Sequence, residues 1–321
     1  MAFVVADGLR KRFRTKERLG LFKSRNKVVE ALAGVSFEVG KGRLFSLVGP
    51  NGAGKTTTVK ILATLLLPDA GTAMVGGHDI VREAGAVRRI TGLMLYPDKG
   101  FFGKLSGLEN LVYYGMLYGL SKADAERRGK ELLELVDLAG AANRPYEEYS
   151  MGMKARLALA KALINDPELL LLDEPTVGID PLGARKIREL ISGLKREGKT
   201  IIFTSHNLWE VEELSDEVAL IMGGRLLAVG PPGEIKARFG FKPRVVAVVR
   251  CSGDFPYGYL EDGKYVINVD TDRPAQLLAK IVEEAENRGC EVAEASIREP
   301  SLEEVVVKIW RGTSARGETA T

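Results

Sequence analysis

The chain has 321 residues, 45% hydrophobic and 28% charged, with 46 Lys+Arg against 43 Asp+Glu and a net charge of +3. These proportions exclude disorder and collagen-like repeats, and they give no global basic field of the kind that marks a nucleic-acid protein. Two Cys and two His are too few for a zinc-finger framework or a disulfide scaffold.

At the N-terminus, Phe3–Val5 and Val35–Val39 read as strands. Arg10 to Lys27 lies between them with nine Lys/Arg against one Glu, which predicts a long charged hairpin loop. Such a loop is either simply solvated or a contact for anionic lipid headgroups or an acidic partner. No charged segment leads into an early apolar run, so no signal peptide is expected. The best membrane candidate, Ile61 to Leu67, stops at Pro68 and falls short of the ~18 residues a spanning helix needs. A cytosolic chain is the expectation, and with it reduced thiols at Cys251 and Cys290.

Further along, Leu44–Val48, Leu169–Leu172, Thr200–Thr204 and Val218–Met222 are apolar strand-like runs with capped helical stretches between them. That alternation predicts a parallel sheet with helices on its faces. After Gly240 the pattern restarts. Arg244–Arg250 and Tyr265–Asp270 read as strands. Pro274 to Arg288 reads as a helix with Leu277, Leu278, Ile281, Val282 and Ala285 on one face and Gly289 just past its end. Glu291–Ile297 reads as a strand, and Ser301 with Glu304 as the capping box of a last helix with Leu302, Val305, Val306 and Ile309 on its apolar face. Residues 241–311 are thus expected to form a small accessory α+β unit, and 312–321 a frayed tail. A core of that size is marginal alone, so the unit should pack on the main domain or on its copy in a dimer.

Gly49-Pro50-Asn51-Gly52-Ala53-Gly54-Lys55-Thr56 fits G-x-x-x-x-G-K-[ST] and stands between the strand-like Leu44–Val48 and the helical Thr57–Leu67, as a P-loop requires. The glycines let backbone N–H groups converge on phosphate, and the helix N-terminus adds its dipole. Lys55 reaches the β/γ-phosphates, the Thr56 hydroxyl suits Mg²⁺, and Thr57 completes the candidate nucleotide-binding set. A second element is Leu169 to Leu172 ending in Asp173-Glu174, which puts two acids at the carboxyl edge of a sheet, where ligands bind. Neighbouring strand residues point opposite ways, so Asp173 suits the Mg²⁺ shell and Glu174 an attacking water.

Three more segments complete the order: Tyr149-Ser150-Met151-Gly152-Met153-Lys154 before a helix running to about Ile164, Thr176-Val177-Gly178-Ile179-Asp180-Pro181, and Thr204-Ser205-His206. With the P-loop and the acid pair, this order resembles the ATPase subunit of ABC transporters over residues 1 to about 240. The Ser-x-Gly-Met-Lys segment and the ending Pro300-Ser301-Leu302-Glu303-Glu304-Val305 resemble the drug-exporter branch typified by daunorubicin-resistance ATPases. The resemblance implies an α/β fold, a P-loop NTPase with a mixed-sheet core and a helical subdomain at about 91–165. It implies that Ser150 and Gly152 contact the γ-phosphate of ATP on the other subunit, and that Asp180 lines the dimer seam. It further implies that His206 holds the γ-phosphate and the attacking water, and that Phe13 stacks on adenine. The chain departs from the family at a Gln between the P-loop and the signature, because its single Gln is Gln276. Asp98 or Tyr96 is expected to stand in for it near Mg²⁺, the carboxylate being the more natural metal-shell group.

The implied activity is ATP hydrolysis. Two cassettes, identical or closely related, close head to tail around two ATP–Mg²⁺ and drive a separate multi-span permease from the inner face of the cell membrane, with no nucleic-acid partner. Alternative readings are an ABC ATPase acting on ribosomes or DNA, or an importer ATPase with a regulatory C-terminal domain. No lasting heptad pattern and no second P-loop support the first of these.

Overall fold

The computed structural model describes residues 2–18, 24–95 and 100–308. The chain divides into two compact units, Met1–Pro231 and Pro232–Thr321. In the first unit, β1 (Ala2–Arg18) and β2 (Ser24–Gly40) form an antiparallel ladder paired from Ala2↔Gly40 to Arg18↔Ser24. The basic segment expected to be a loop is therefore mostly strand. The ladder satisfies its backbone groups across the hairpin. It also sets Phe13 opposite Val29 and Arg14 opposite Val28, and it brings Arg12 Nη2 within 3.1 Å of Glu30.

The chain continues through β3 (Leu44–Val48), α1 (Lys55–Leu62), β4 (Ala70–Val75), β5 (His78–Asp79), α2 (Ala84–Ile90) and β6 (Thr91–Met94). Helix α1 stops five residues before the expected Leu67, because Thr64 turns the backbone at φ 60°. Next come α3 (Gly107–Leu117), α4 (Lys122–Leu135) and α5 (Met151–Ala162), which pack on one another. Helix α3 opens with a capping box, Ser106 accepting from Glu109 N while the Glu109 side chain accepts from Ser106 N. Then follow β7 (Leu169–Asp173), α6 (Pro181–Arg196), β8 (Thr200–Ser205), α7 (Leu208–Leu214), β9 (Glu217–Met222) and β10 (Arg225–Gly230).

Two sheets result. One has the order β2-β1-β4-β5 and is antiparallel; the other has the order β10-β9-β3-β8-β7-β6, parallel except where β10 meets β9. Strands β3 and β7 are buried at every position, which explains their continuous apolar runs. A single core joins the two sheets through α1, with Leu9, Leu32, Phe45, Leu47, Ile61, Leu62, Leu171 and Ile202 among its members.

The second unit has α8 (Pro232–Arg238), β11 (Arg244–Arg250), β12 (Tyr259–Glu261), β13 (Lys264–Asp270), α9 (Pro274–Asn287), β14 (Glu291–Arg298) and a helix over 302–308. Its sheet runs β12-β13-β11-β14, all antiparallel. Helix α9 supplies Ile281 and Ala285 to a core with Val245, Ala247, Val249, Phe255 and Ile267. Ser301 Oγ accepts from Glu304 N at 3.2 Å to start the last helix. The expected free thiols are corrected here: Cys251 and Cys290 form a disulfide, with Cα atoms 4.7 Å apart. Strand β11 delivers Cys251 and the turn after α9 delivers Cys290, a juxtaposition within bridging range. Among the described residues no helix is long and apolar enough to cross a membrane.

Candidate active site

Strand β3 lies between β8 and β9 and aims its end at the P-loop. A Cβ at Gly49 would sit 2.1 Å from Ile221 O, so only glycine fits there. Gly54 caps α1 at φ 114°, and no side chain caps the helix. The first-turn N–H groups of α1 therefore remain available to an anion. Lys55 is buried; its Nζ donates to Gly49 O at 2.7 Å and Pro50 O at 3.4 Å. Ala53 is buried behind the loop, whereas Asn51, Gly52 and Thr56 are exposed on its crest and Thr57 is half-buried. A Cβ at Gly54 would lie 2.6 Å from Ala31 O, and left-handed strain costs about 1–3 kcal/mol. Gly54→Ala is therefore expected to weaken ATP binding about tenfold or more, by titration calorimetry, with the helix content unchanged by circular dichroism.

Strand β7 delivers the two acids. Parallel register sets Asp173 opposite Thr204. The buried Thr204 hydroxyl donates to Asp173 Oδ1 at 2.7 Å and accepts from Glu174 N at 3.0 Å. The Thr56 hydroxyl donates to the same Oδ1 at 3.2 Å. Glu174 leaves the strand at φ 52°, in the left-handed region, and its N–H is also held by Thr204 O at 3.1 Å. That turn aims the carboxylate across the sheet edge: Oε1 is 3.6 Å from Lys55 Nζ, and Oε2 is 3.6 Å from His206 Nδ1. Lys55, Thr56, Asp173, Glu174 and His206 thus meet at the carboxyl ends of three adjacent strands. Thr204 escaped the sequence reading as a site residue. Its signal was a hydroxyl at the end of a buried apolar strand, which becomes meaningful only with the register.

The other expected residues stand apart. Ser150 is exposed and caps α5, its Oγ accepting from Met153 N at 3.3 Å. Asp180 caps α6, Oδ1 accepting from Leu182 N at 3.1 Å and Gly183 N at 3.0 Å. A Cβ at Gly152 would lie 3.8 Å from Asp180 Oδ2, so the starts of α5 and α6 are close. Among the described residues no hydrogen bond or ion pair joins Ser150, Gly152 or Asp180 to Lys55, Glu174 or His206. Asp137, after α4, ties the two helices together by accepting from Arg156 at 3.1 Å and Lys186 at 2.6 Å. The Lys186 hydrogen bond holds the Asp137 carboxyl below the ordinary range, so this tie is lost only as pH falls through that lowered value. Phe13 sits on the hairpin with an exposed ring and the Lys11 ammonium 6.0 Å from its centre. Asp98 and Tyr96 lie outside the described residues.

Two hard oxygens, Thr56 Oγ1 and Asp173 Oδ1, suit a divalent cation that takes its other ligands from phosphate and water. No cluster of three or more His, Cys, Asp or Glu fit for a metal exists among the described residues.

This P-loop, with the acid at the end of β7 and the histidine after β8, defines a nucleoside-triphosphate hydrolase. The family described as ABC transporter matches residues 32–177. The chain is 36% identical to a daunorubicin resistance ATP-binding protein of Streptomyces coeruleorubidus, over 95% of each chain. It is 37% identical to a fluoroquinolones export ATP-binding protein of Mycobacterium tuberculosis, over 87% of each. A solved cassette from Clostridium perfringens, part of an ABC transporter complex, superposes with TM-score 0.62 at 25% identity, over 74% of this chain and 91% of that one. The chain belongs to the ATP-binding subunits of ABC transporters. It binds and hydrolyses ATP, and cassettes of this family work as dimers with transmembrane permeases.

Proposed function

We propose that the chain powers a drug exporter. It closes head to tail with a second cassette around two ATP–Mg²⁺ and drives a separate multi-span permease from the inner face of the membrane. The observation that carries the reading is the arrangement just described: Lys55, Glu174 and His206 gather within 3.6 Å contacts, while the exposed Ser150 caps α5 and bonds to none of them among the described residues. Each chain then offers one half of a site and lends its Ser150 to the other half. The names of the two curated relatives support a drug as the cargo and export as the direction.

Within the half-site, Lys55 and the N-terminus of α1 bind the β- and γ-phosphates. Glu174 orients a water in line with the γ-phosphorus and accepts its proton. Lys55 and His206, 3.6 Å from the two Glu174 oxygens, are placed to stabilise the charge that develops on the transferred group. Thr56 and Asp173 would hold Mg²⁺, which when bound neutralises phosphate charge.

The test is recovery of partners from gently solubilised membranes of the native host with a tagged chain. A multi-span membrane protein is expected to co-purify. Recovery with ribosomes, with DNA or alone would leave the ATPase standing and overturn the exporter.

A further inference from the structure

Glu210 on α7 is 1% exposed, yet no step above uses it. Its carboxylate accepts from three segments at once. Thr176 Oγ1 donates to Oε2 at 2.8 Å, Arg188 Nη1 of α6 donates to Oε1 at 2.8 Å, and Ser205 Oγ lies 3.5 Å from Oε2. Thr176 is two residues beyond Glu174, and Ser205 immediately precedes His206. The Ser205 hydroxyl also accepts from Asn207 N at 2.9 Å, so it fixes the turn that carries the histidine. Arg188 is held in place by the Trp209 ring, 4.9 Å from its guanidinium carbon, and its Nε lies 3.7 Å from Glu213 Oε2.

A buried carboxylate is expensive, and an apolar residue of like volume would pack α7 at least as well. Stability therefore gives a poor account of Glu210, whereas geometry gives a good one. One oxygen, Oε2, is shared between the segment that leaves Glu174 for Asp180 and the segment that ends at His206, while Oε1 accepts from Arg188. We propose that Glu210 is a positioning residue of the hydrolytic site, locking the 174–180 segment to the His206 turn, with Arg188 as its counter-charge. The proposal rests on the ATPase reading. Loosening the lock lets the Glu174 carboxylate and the His206 ring drift apart, and displacement by about an ångström costs on the order of 10²-fold in rate. ATP binding, which belongs to the P-loop, is left intact.

The experiment is steady-state ATP turnover by the full chain, with ATP affinity measured calorimetrically and folding checked by thermal melting. Thr176→Val removes one hydroxyl and buries no new charge; it should lower kcat about fivefold or more, with KM and ATP affinity within about twofold. Glu210→Gln should lower kcat about 10²-fold with the same pattern. Arg188 gives Glu210 one bond rather than a fork, so Arg188→Lys should retain most of kcat where Arg188→Met does not. Adding Glu210→Gln to His206→Ala should slow the enzyme little further, because residues acting as a unit are non-additive. Wild-type kcat in folded Thr176→Val and Glu210→Gln would overturn the proposal, as would independent, multiplying losses in the double variant. If Glu210→Gln fails to fold, Thr176→Val decides. A wild-type chain without ATP turnover would overturn the parent reading and this one together, an outcome distinct from unchanged variants of an active enzyme.

Discussion

Glu174→Gln is expected to lower ATP turnover by about 10²–10⁴-fold while leaving ATP affinity within a few-fold of the unmodified chain. The substitution preserves side-chain volume and the backbone turn, whose N–H bonds run to Thr204 rather than to the Glu174 side chain. It also keeps an oxygen facing Lys55, though not the charge that pairs with it at 3.6 Å. What it removes is the proton acceptor on the water. The P-loop is untouched, so nucleotide binds but is not consumed, and the ATP-bound pair of chains should accumulate. Stopped-flow phosphate release gives the rate, and gel filtration in ATP–Mg²⁺ gives the assembly state. Near wild-type turnover would remove Glu174 from the reaction.

The second large effect falls on stability. Reducing the Cys251–Cys290 bond, or replacing both residues by Ser, should destabilise the second unit by about 4 kcal/mol on the chain-entropy scale for a closed loop of 39 residues. The core cluster against which both cysteines pack consists of Val245, Ala247, Val249, Phe255, Ile267, Ile281 and Ala285. Small domains of this kind have little stability in reserve, so the loss is a large share of the total. Thermal melting with and without a reductant should show an early transition for the second unit only after reduction. Coincident melting curves would show that the bond contributes nothing to its stability.

The site was legible where its chemistry is local. Gly49 to Thr56 is a contiguous stretch whose residue types follow from backbone geometry, and Asp173-Glu174 ends an apolar run whose burial is as read. His206 was legible only through its order after those motifs. What escaped depends on register. Thr204 matters because β8 lies beside β7, and Glu210 because α7, α6 and the 174–180 segment converge. The hairpin was misread because its charges hide the period-two signal: residues such as Arg12, Phe13, Val28 and Val29 are all exposed, so neither face of that stretch shows the burial that betrays a strand. The disulfide was misread from compartment, whereas the antiparallel sheet and α9 decide which sulfurs meet.

Strands β3, β8 and β7 are direct neighbours in one hydrogen-bonded sheet, and Lys55, His206 and Glu174 hang from their ends. The strand ends that carry the reacting groups are therefore neighbours by sheet register, with Glu210 proposed to hold the segments beyond them, while Ser150 rides on a separate helix. Under the proposed half-site arrangement, a chain alone holds ATP without finishing the site, so consumption of the nucleotide would wait on the arrival of a second cassette.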